Sequence, residues 1–466
     1  MNESEGRINS ARMGQMPEGK LLLTLAVPMM LSMLVQALYN IVDSVYVARV
    51  SEDCLTALSL VFPAQNIMIG LATGTGVGVS SLISRALGAN DRERAGRVAG
   101  NALFLCLCCW GLMFAFGLFG AEWFINTQTG DPQIRDYADS YLKIVSMGSV
   151  FLYFEICFER FLQSSSLTKF SMWVQIVGAV TNIVLDPFFI YGWCGLPAMG
   201  TAGAAVATCI GQAVGAGLGL YFHKKHNREV PLGIRYFSPS GHIIGGIYKI
   251  GFPSIIMMCI GSATNYIMNR LLISFTTTAV AVYGAYFKLQ SFFFMPVFGI
   301  NNGLIPIIGY NYGAAKVERI HRTIKYGVLY AAVFMVTGFL LFELIPQGLL
   351  MAFSPSQEML DIGVKALRRI APHFPIAAFC IVAGSACQAL DKSVFSLISS
   401  CMRQIIALVP SAYLLSLTGD VNNIWWCFLI AEVVSLIFSS FFLKKALHDA
   451  DKRLKTCENM KRSPLG

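Results

Sequence analysis

The amino-acid sequence contains one residue pattern twice, at a constant offset of 225 positions. The repeated pairs are Pro28 and Pro253, Asn40 and Asn265, Gln65 and Gln290, Gly74 and Gly299, Gly78 and Gly303, Gly88 and Gly313, Ala89 and Ala314, Glu93 and Glu318, Arg94 and Arg319, and Gln163 and Gln388. The repeated segments are apolar and are joined by short basic loops, which predicts a duplicated membrane bundle. Two like halves that face one another form a cavity between them, as in many transporters.

Composition supports a membrane protein. Hydrophobic residues make up 55% of the chain and charged residues only 13%, whereas a soluble domain carries roughly 25% charged residues. Apolar stretches near or above the ~20 residues needed to span a bilayer recur from end to end, and they do not alternate as barrel strands do. We therefore predict an all-α polytopic membrane protein, with twelve transmembrane helices in two pseudo-symmetric six-helix lobes around a central cavity. The predicted spans are 21–48, 55–83, 98–120, 137–162, 170–193, 200–222, 246–274, 281–309, 324–346, 362–388, 393–417 and 421–443.

Basic residues cluster in alternate loops between these spans. Examples are Lys20, Arg85, Lys224, Lys316 and Lys444. By the positive-inside rule both termini are cytoplasmic, in a multi-pass protein of the cell membrane. The net charge of +9 therefore reflects the basic residues of the cytoplasmic loops, and we expect no nucleic-acid partner. Lys365, Arg368 and Arg369 depart from the rule, and we interpret them as the start of an amphipathic helix.

Six spans per half give both halves the same orientation, so that an axis along the membrane normal relates them. We predict an N-terminal lobe over 1–222, a cytoplasmic linker over 223–245, a C-terminal lobe over 246–443 and a cytoplasmic tail over 444–466. The linker is polar and contains proline and glycine. We expect the first apolar stretch to be retained, because it lacks a small-residue cleavage site. We expect a functional monomer in the lipid bilayer.

No motif indicates an enzyme or a bound cofactor. The sequence has no phosphate-binding GxxxxGKS or GxxxxGKT, no HExxH and no GxSxG, so ATP hydrolysis and the usual membrane hydrolases lack support. Gly74, Gly76 and Gly78 resemble part of a phosphate loop. They lie inside an apolar span, however, where small residues let helix backbones pack closely.

Polar side chains share one face of the first predicted span. Asp43 lies towards its outer end, and Gln36, Tyr39 and Asn40 precede it by seven, four and three residues, which places all four on one helix face. A carboxylate at the centre of a membrane helix costs roughly 2.5–3.5 kcal/mol on insertion scales. We therefore favour a functional role for Asp43 over neutralisation by a neighbouring group.

Further carboxylates lie in the fourth and fifth spans. Asp186 follows Asn182 by one turn, and Pro187 disturbs the backbone hydrogen bonds beside them. Carboxylate, amide and carbonyl oxygens suit a proton or a small hard cation. If the ion is Na⁺, Asp43 and Asp186 are the expected metal ligands. Glu155 and Glu159 stand one turn apart, and a local structural pair with Arg160 is the alternative for Glu159.

The acidic set occurs only in the first half of the chain. The residues at the repeat offset are Met268 for Asp43, Ala407 for Asn182, Ser411 for Asp186, Cys380 for Glu155 and Gly384 for Glu159. Ion coupling is therefore predicted in the N-terminal lobe alone.

Three stretches resemble the MATE (multidrug and toxic compound extrusion) family. They are Tyr39–Asp43, Thr73–Gly76 with the following Leu87–Asn90, and Asn182–Pro187, which is the most specific. The resemblance covers nearly the whole chain. It is greater to the DinF-like and Gram-positive multidrug subgroup than to the NorM-like one, because spans seven and ten contain no central carboxylate.

The resemblance implies a cation-coupled antiporter, which exports organic, often cationic and amphipathic compounds in exchange for H⁺ or Na⁺ by rocker-switch alternating access. It also implies that Asp43, Asn182 and Asp186 form the ion site, with Tyr39 beside them. A family threonine in span six corresponds to Thr201 or Thr208. Relatives often have a neutral polar residue in place of Glu159, which changes the charge expected of the cavity.

The substrate residues are expected among polar, aromatic and methionine side chains. Aromatic faces attract organic cations, and methionine adapts to varied shapes. The candidates are Gln36, Tyr39, Asn40, Tyr153, Glu155, Glu159 and Met257. The alternative function is a flippase of the same superfamily for a lipid-linked precursor. It would need a cationic cavity, for which Arg270, Lys288 and Arg403 are available.

Overall fold

A computed structural model describes residues 10–351, 353 and 355–462. Over this part of the chain the regular structure is helical, with no β-strand. Among the described residues, eleven helices are long and apolar enough to cross a membrane, and a bent pair brings the number of spans to twelve. The predicted all-α fold is confirmed. The spans are α1 Glu18–Ala48, α2 Glu52–Gly88, α3 Arg92–Phe119, α4 Pro132–Ser164, α5 Thr168–Tyr191, α6 Thr201–His226, α7 Gly241–Ile273, α8 Thr277–Gly313, α9 Val317–Leu344, α10 Gln357–Ile370 with His373–Ala389, α11 Ser393–Ser416 and α12 Cys427–Arg462.

Polar residues cap the helices where the chain turns. Ser51 is the N-cap of α2, and its side chain accepts a hydrogen bond from the backbone N–H of Cys54. Asp91 is the N-cap of α3, and its side chain accepts from the backbone N–H of Arg94. Such side chains satisfy N–H groups that have no partner within the helix. Short helices connect the spans at Ala121–Asn126, Pro346–Met351 and Val421–Ile424.

The tenth span is broken. Its two helices, Gln357–Ile370 and His373–Ala389, meet at an angle of 50°. Pro372 stands at the break and has no N–H to donate. The first helix is amphipathic and ends with Arg368 and Arg369, where Arg368 donates from Nε to the Glu343 carbonyl oxygen at 3.3 Å. The predicted amphipathic helix start is confirmed, as a separate helix.

The eleventh span changes its winding at mid-length. It runs as an α-helix over Ser393–Cys401, as a π-helix over Met402–Leu408 and as an α-helix again over Val409–Ser416. Single π-turns inside α-helices are rare and frequently occur at functional sites.

The helices form two compact units, and α1 and α7 are each divided between them. The first unit contains residues 31–255 and the segment that ends at Gln15, and the second contains residues 16–30 together with those from 256 onward. The two division points, after Met30 and after Ile255, are 225 residues apart. Each lies two residues beyond a repeated proline, Pro28 or Pro253. The duplication therefore extends to the point at which each helix changes unit.

The repeated glycines pack α2 and α8 against these exchanged half-helices. In the first unit, a Cβ at Gly74 would lie 2.9 Å from the carbonyl oxygen of Gly251 on α7. In the second, a Cβ at Gly299 would lie 2.6 Å from the backbone nitrogen of Met30 on α1. Backbones this close leave no room for a side chain. The prediction that these glycines serve close helix packing is confirmed.

Candidate functional site

Three buried side chains on α5 and α6 form the centre of the candidate site. Nδ2 of Asn182 donates to Oδ1 of Asp186 at 3.4 Å and to Oγ1 of Thr208 at 3.3 Å. Asn182 and Asp186 are one turn apart on α5, so both side chains point the same way. Asp186 is completely buried. The structure therefore places Thr208 in contact with the pair that the sequence predicts.

Glycines allow α5 and α6 to approach closely enough for this contact. A Cβ at Gly211 would lie 2.8 Å from the carbonyl oxygen of Gly178 and 3.1 Å from Cβ of Asn182. Gly211 lies one turn along α6 from Thr208. Small residues at this crossing bring the short threonine side chain within reach of the amide.

The second half of α1 completes the site within the first unit. The Tyr39 side chain lies beside Thr208 and has Asp43, Asp186 and Glu155 as charged neighbours. Asp43 and Asp186 are close enough to interact electrostatically. Two carboxylates that share a desolvated site repel one another, so a bound cation would stabilise both.

Three oxygen atoms of this cluster are buried without a hydrogen-bond partner. They are Oδ1 of Asp43, Oδ1 of Asn182 and Oδ2 of Asp186. A buried acceptor with no donor costs free energy, about 1–3 kcal/mol and more for a charged group. The cluster can thus accept a proton, or coordinate a small cation through oxygen. In the described part of the chain, no set of three or more His, Cys, Asp or Glu residues is arranged to hold a metal ion.

Glu155 and Glu159 on α4 are two further carboxylates of the first unit. The Glu155 carboxylate lies against the backbones of α5 and α6, where a Cβ at Gly178 would be 3.0 Å from its Oε1. It is an electrostatic neighbour of Glu159. Glu159 is buried, accepts a hydrogen bond from Nε2 of Gln175 at 2.8 Å, and leaves Oε1 without a partner.

Arg160, the residue that follows Glu159, also forms a hydrogen bond with another side chain. Its Nη1 donates to Oε1 of Gln163 at 2.9 Å, and Nε2 of Gln163 donates to Ser171 at 2.9 Å. Arg160 and Glu159 are also electrostatic neighbours. The structural pairing and a functional role for Glu159 are therefore compatible.

The remaining predicted residues lie outside the cluster. The Thr201 hydroxyl donates to the Tyr137 carbonyl oxygen at 3.1 Å. Tyr153 is buried beside Thr75, Cys106 and Cys157, which line a small enclosed cavity.

Two candidates on α1 and one on α7 remain. Gln36 and Asn40 are exposed. Met257 belongs to the second unit, where Ser396 Oγ lies 3.6 Å from its Sδ.

Sequence reasoning missed three polar residues at the site. Tyr141 is a buried neighbour of Asp43 and Tyr39, and its hydroxyl accepts from Nε2 of Gln65 at 2.9 Å. Nε2 of Gln175 donates a hydrogen bond to Oε2 of Glu159. Gln65 is one of the repeated positions, which was a usable signal. Gln175 stands alone in an apolar stretch, and Tyr141 lies among the polar residues Asp139, Ser140 and Lys143, so neither had such a signal.

Comparison with known proteins identifies the fold and its relatives. The model of the MatE family matches the chain twice, over residues 28–188 and 253–414. The chain belongs to the MATE family. The two matches begin 225 residues apart, which confirms the duplication. Each matched region contains several of the membrane-spanning helices.

The MATE protein is similar to curated and solved relatives over most of its length. The multidrug export protein MepA of Staphylococcus saprophyticus is 22% identical, over 88% of this chain and 90% of its own. MepA of Staphylococcus aureus is 23% identical, over 89% and 91%. A solved outward-facing multidrug resistance MATE transporter of the MOP superfamily has 25% identity and a TM-score of 0.89, covering 95% of this chain and 98% of that one.

Proposed function

We propose that this MATE protein exports organic, often cationic and amphipathic compounds in exchange for inward H⁺ or Na⁺. The relatives named as multidrug exporters support the export function. Because those relatives are exporters of drugs, the lipid-linked flippase is not favoured. Rocker-switch alternating access is the motion that we propose for exchange.

The oxygen cluster of the first unit carries the proposal of cation coupling. Asp43, Asn182 and Asp186 present three buried oxygens without a partner, and Tyr39 and Thr208 close the cluster on one side. In the outward-open state the cluster takes up H⁺ or Na⁺, which neutralises one of its two negative charges. Neutralisation weakens their attraction for a cationic compound and favours its release to the outside.

Glu155 and Glu159 give the first unit further negative charge for substrate binding. Both lie beside α5, and Glu155 is a charged neighbour of Tyr39. An organic cation is attracted to carboxylates and to aromatic faces in a water-poor site. We therefore assign substrate binding to these two carboxylates and Tyr39, and ion coupling to the cluster around Asp186.

The test is efflux of a fluorescent lipophilic cation from cells that express the wild type or Asp43→Asn. A protonophore and a sodium ionophore collapse the two ion gradients separately. We expect wild-type efflux to stop with one of them, which identifies the ion. We expect Asp43→Asn to lower efflux about tenfold or more, since tenfold corresponds to about 1.4 kcal/mol.

The matched control is Asp361→Asn, which removes an exposed carboxylate of the second unit. It should retain wild-type efflux. Efflux that persists after both gradients are collapsed would overturn cation coupling. Absence of efflux from well-expressed wild-type protein would overturn drug export.

A further inference from the structure

Arg403 places a positive charge near the middle of α11. It lies in the π-helical segment Met402–Leu408, within the Ser393–Ser416 span, and its side chain is 30% exposed. A guanidinium at this depth is costly in hydrocarbon, and charged residues inside spans almost always face protein interior or a water-filled space. The exposed part of Arg403 is therefore available to a polar ligand and not to lipid chains.

Glu432 on α12 holds Arg403 from the interior of the second unit. Nη1 of Arg403 lies 3.5 Å from Oε2 of Glu432, whose side chain is only 4% exposed. Oε1 of Glu432 is buried without a hydrogen-bond partner. A guanidinium has five N–H donors, and within the described residues Arg403 makes no other hydrogen bond. One long contact leaves most of its donors for a second acidic group.

The interior side of this ion pair is closed by packed side chains. The Cys380 thiol lies beside the Glu432 carboxylate and beside Ser435, and all three residues are buried. Nδ1 of His373 donates to the Ile370 carbonyl oxygen at 2.6 Å, and its ring packs against Phe374 with centroids 4.8 Å apart. A ligand can therefore reach the pair only from the exposed side of Arg403.

The repeat relates this pair to the cation cluster of the first unit. At the offset of 225, Arg403 corresponds to Gly178 on α5 and Glu432 to Ala207 on α6. These are the two helices that carry Asn182, Asp186 and Thr208. The same pair of helices thus presents acceptor oxygens in one unit and a guanidinium in the other.

We propose that Arg403 binds the acidic group of amphoteric organic compounds, with Glu432 as its internal counter-ion when no ligand is bound. This inference rests on the proposed export function and specifies its substrate class: compounds with both a cationic ring system and a carboxylate. A planar guanidinium can bind a carboxylate through two parallel hydrogen bonds. The ligand's carboxylate then takes the donors that Glu432 leaves unused.

The test uses two dyes that differ only at the acidic group: a rhodamine with a free carboxylic acid and its ethyl ester. Their uptake is measured in proteoliposomes with an imposed ion gradient. Arg403→Gln combined with Glu432→Gln removes both charges, so no buried charge is left unpaired. We expect this double variant to lose about tenfold of acid-dye transport while ester transport changes less than about twofold.

Two single variants separate binding from folding. Arg403→Lys keeps the charge but loses the planar fork, and we expect an intermediate loss for the acid dye alone. Arg368→Gln is the control, since Arg368 is an exposed arginine of the same unit that donates to the Glu343 carbonyl oxygen at 3.3 Å. It should leave the ratio of the two dyes unchanged. An equal loss for both dyes in the double variant, or no loss for either, would overturn the assignment.

Dye binding and lipid composition distinguish the remaining outcomes. If the wild type transports neither dye, drug export is wrong for these compounds, and fluorescence polarisation of the bound dyes decides about Arg403. Preferential binding of the acid that disappears in the double variant supports the site, and its absence overturns it. If phosphatidylglycerol in the vesicles abolishes the preference, a lipid phosphate occupies Arg403 and the assignment to a transported compound is wrong.

Discussion

Thr201 and Thr208 show what a single residue contributes to the site. They are seven residues apart on α6, about two helical turns, and therefore lie on the same face. Only Thr208 contacts Asn182, whereas Thr201 donates to the Tyr137 carbonyl oxygen. The sequence pattern cannot distinguish two threonines on one helix face, because the choice depends on where Asn182 of α5 lies.

We expect Thr208→Val to weaken ion coupling and Thr201→Val to leave it intact. The first change removes the oxygen that accepts from Asn182, which costs about 0.5–1.5 kcal/mol for one hydrogen bond. The apparent ion affinity, measured from efflux rate against ion concentration, should fall severalfold. Thr201→Val should lower only the unfolding temperature. An equal loss of ion affinity in both variants would contradict this assignment.

Glu229, in the connection between α6 and α7, makes stability depend on pH. It is buried and accepts from Ser10 Oγ at 2.9 Å, while its Oε2 has no partner. Burial raises the pKa of Glu229 above its ordinary value of 4.5. The folded protein therefore binds this proton more tightly than the unfolded chain. The contribution of protonated Glu229 to the stability of the folded protein is fully present below about pH 4.5. It is lost as the pH rises through the raised pKa.

We expect Glu229→Gln to reduce the loss of stability between pH 5 and pH 8, because the amide stays neutral and can still accept from Ser10. Thermal unfolding of the purified protein in detergent at about these two pH values measures the difference. Glu122→Gln, at an exposed position, is the control. A pH dependence unchanged by Glu229→Gln would show that other groups determine it.

At the scale of helices, the repeated glycines predict a graded series of effects. A Cβ at Gly78 would clash with the Ile247 carbonyl oxygen, and one at Gly303 would lie 3.2 Å from the Ala26 backbone nitrogen. Gly284 has no atom within 4 Å of such a Cβ. We expect Gly78→Ala to destabilise most, by about 1–3 kcal/mol for overpacking, and Gly303→Ala less. Gly284→Ala should be neutral or stabilising by up to about 1 kcal/mol.

Thermal unfolding of the three variants checks this order. Equal destabilisation by Gly78→Ala and Gly284→Ala would mean that helix contacts do not depend on the repeated glycine. The test is independent of transport, because it compares backbone contacts within each unit.

The number and type of helices could be predicted from the sequence, but their breaks could not. Hydropathy records which residues lie in the apolar layer, and it is the same for a straight helix and for a bent one. Pro372 and Pro375 were the local signals for the break in α10. For the π-helical segment Met402–Leu408 the local signal is Pro410 just after it, which lacks an N–H to donate to the preceding turn. The acidic residues were found because a charge inside an apolar span is conspicuous, whereas Tyr141 and Gln175 are not.

For the whole molecule, the division of α1 and α7 makes each unit depend on the other half of the chain. The first unit takes residues 241–255 from α7, and the second takes residues 18–30 from α1. Ile247 and Ile250 of the exchanged α7 segment are completely buried. In lipid, such packing replaces the hydrophobic effect as the main force between helices. A cut at the linker therefore removes part of the core of each unit.

We expect a fragment of residues 1–240 to fold poorly alone and residues 1–255 to fold better, since only the longer fragment contains the α7 segment that packs on Gly74 and Gly78. Resistance to limited proteolysis in membranes measures the difference. Co-expression of residues 1–240 with residues 241–466 should restore efflux, because the missing half-helices are then supplied in trans. If residues 1–240 resist proteolysis as well as residues 1–255 do, the exchanged half-helix does not stabilise the first unit. If the two co-expressed fragments fold separately and show no efflux, the units require a continuous chain to exchange their half-helices.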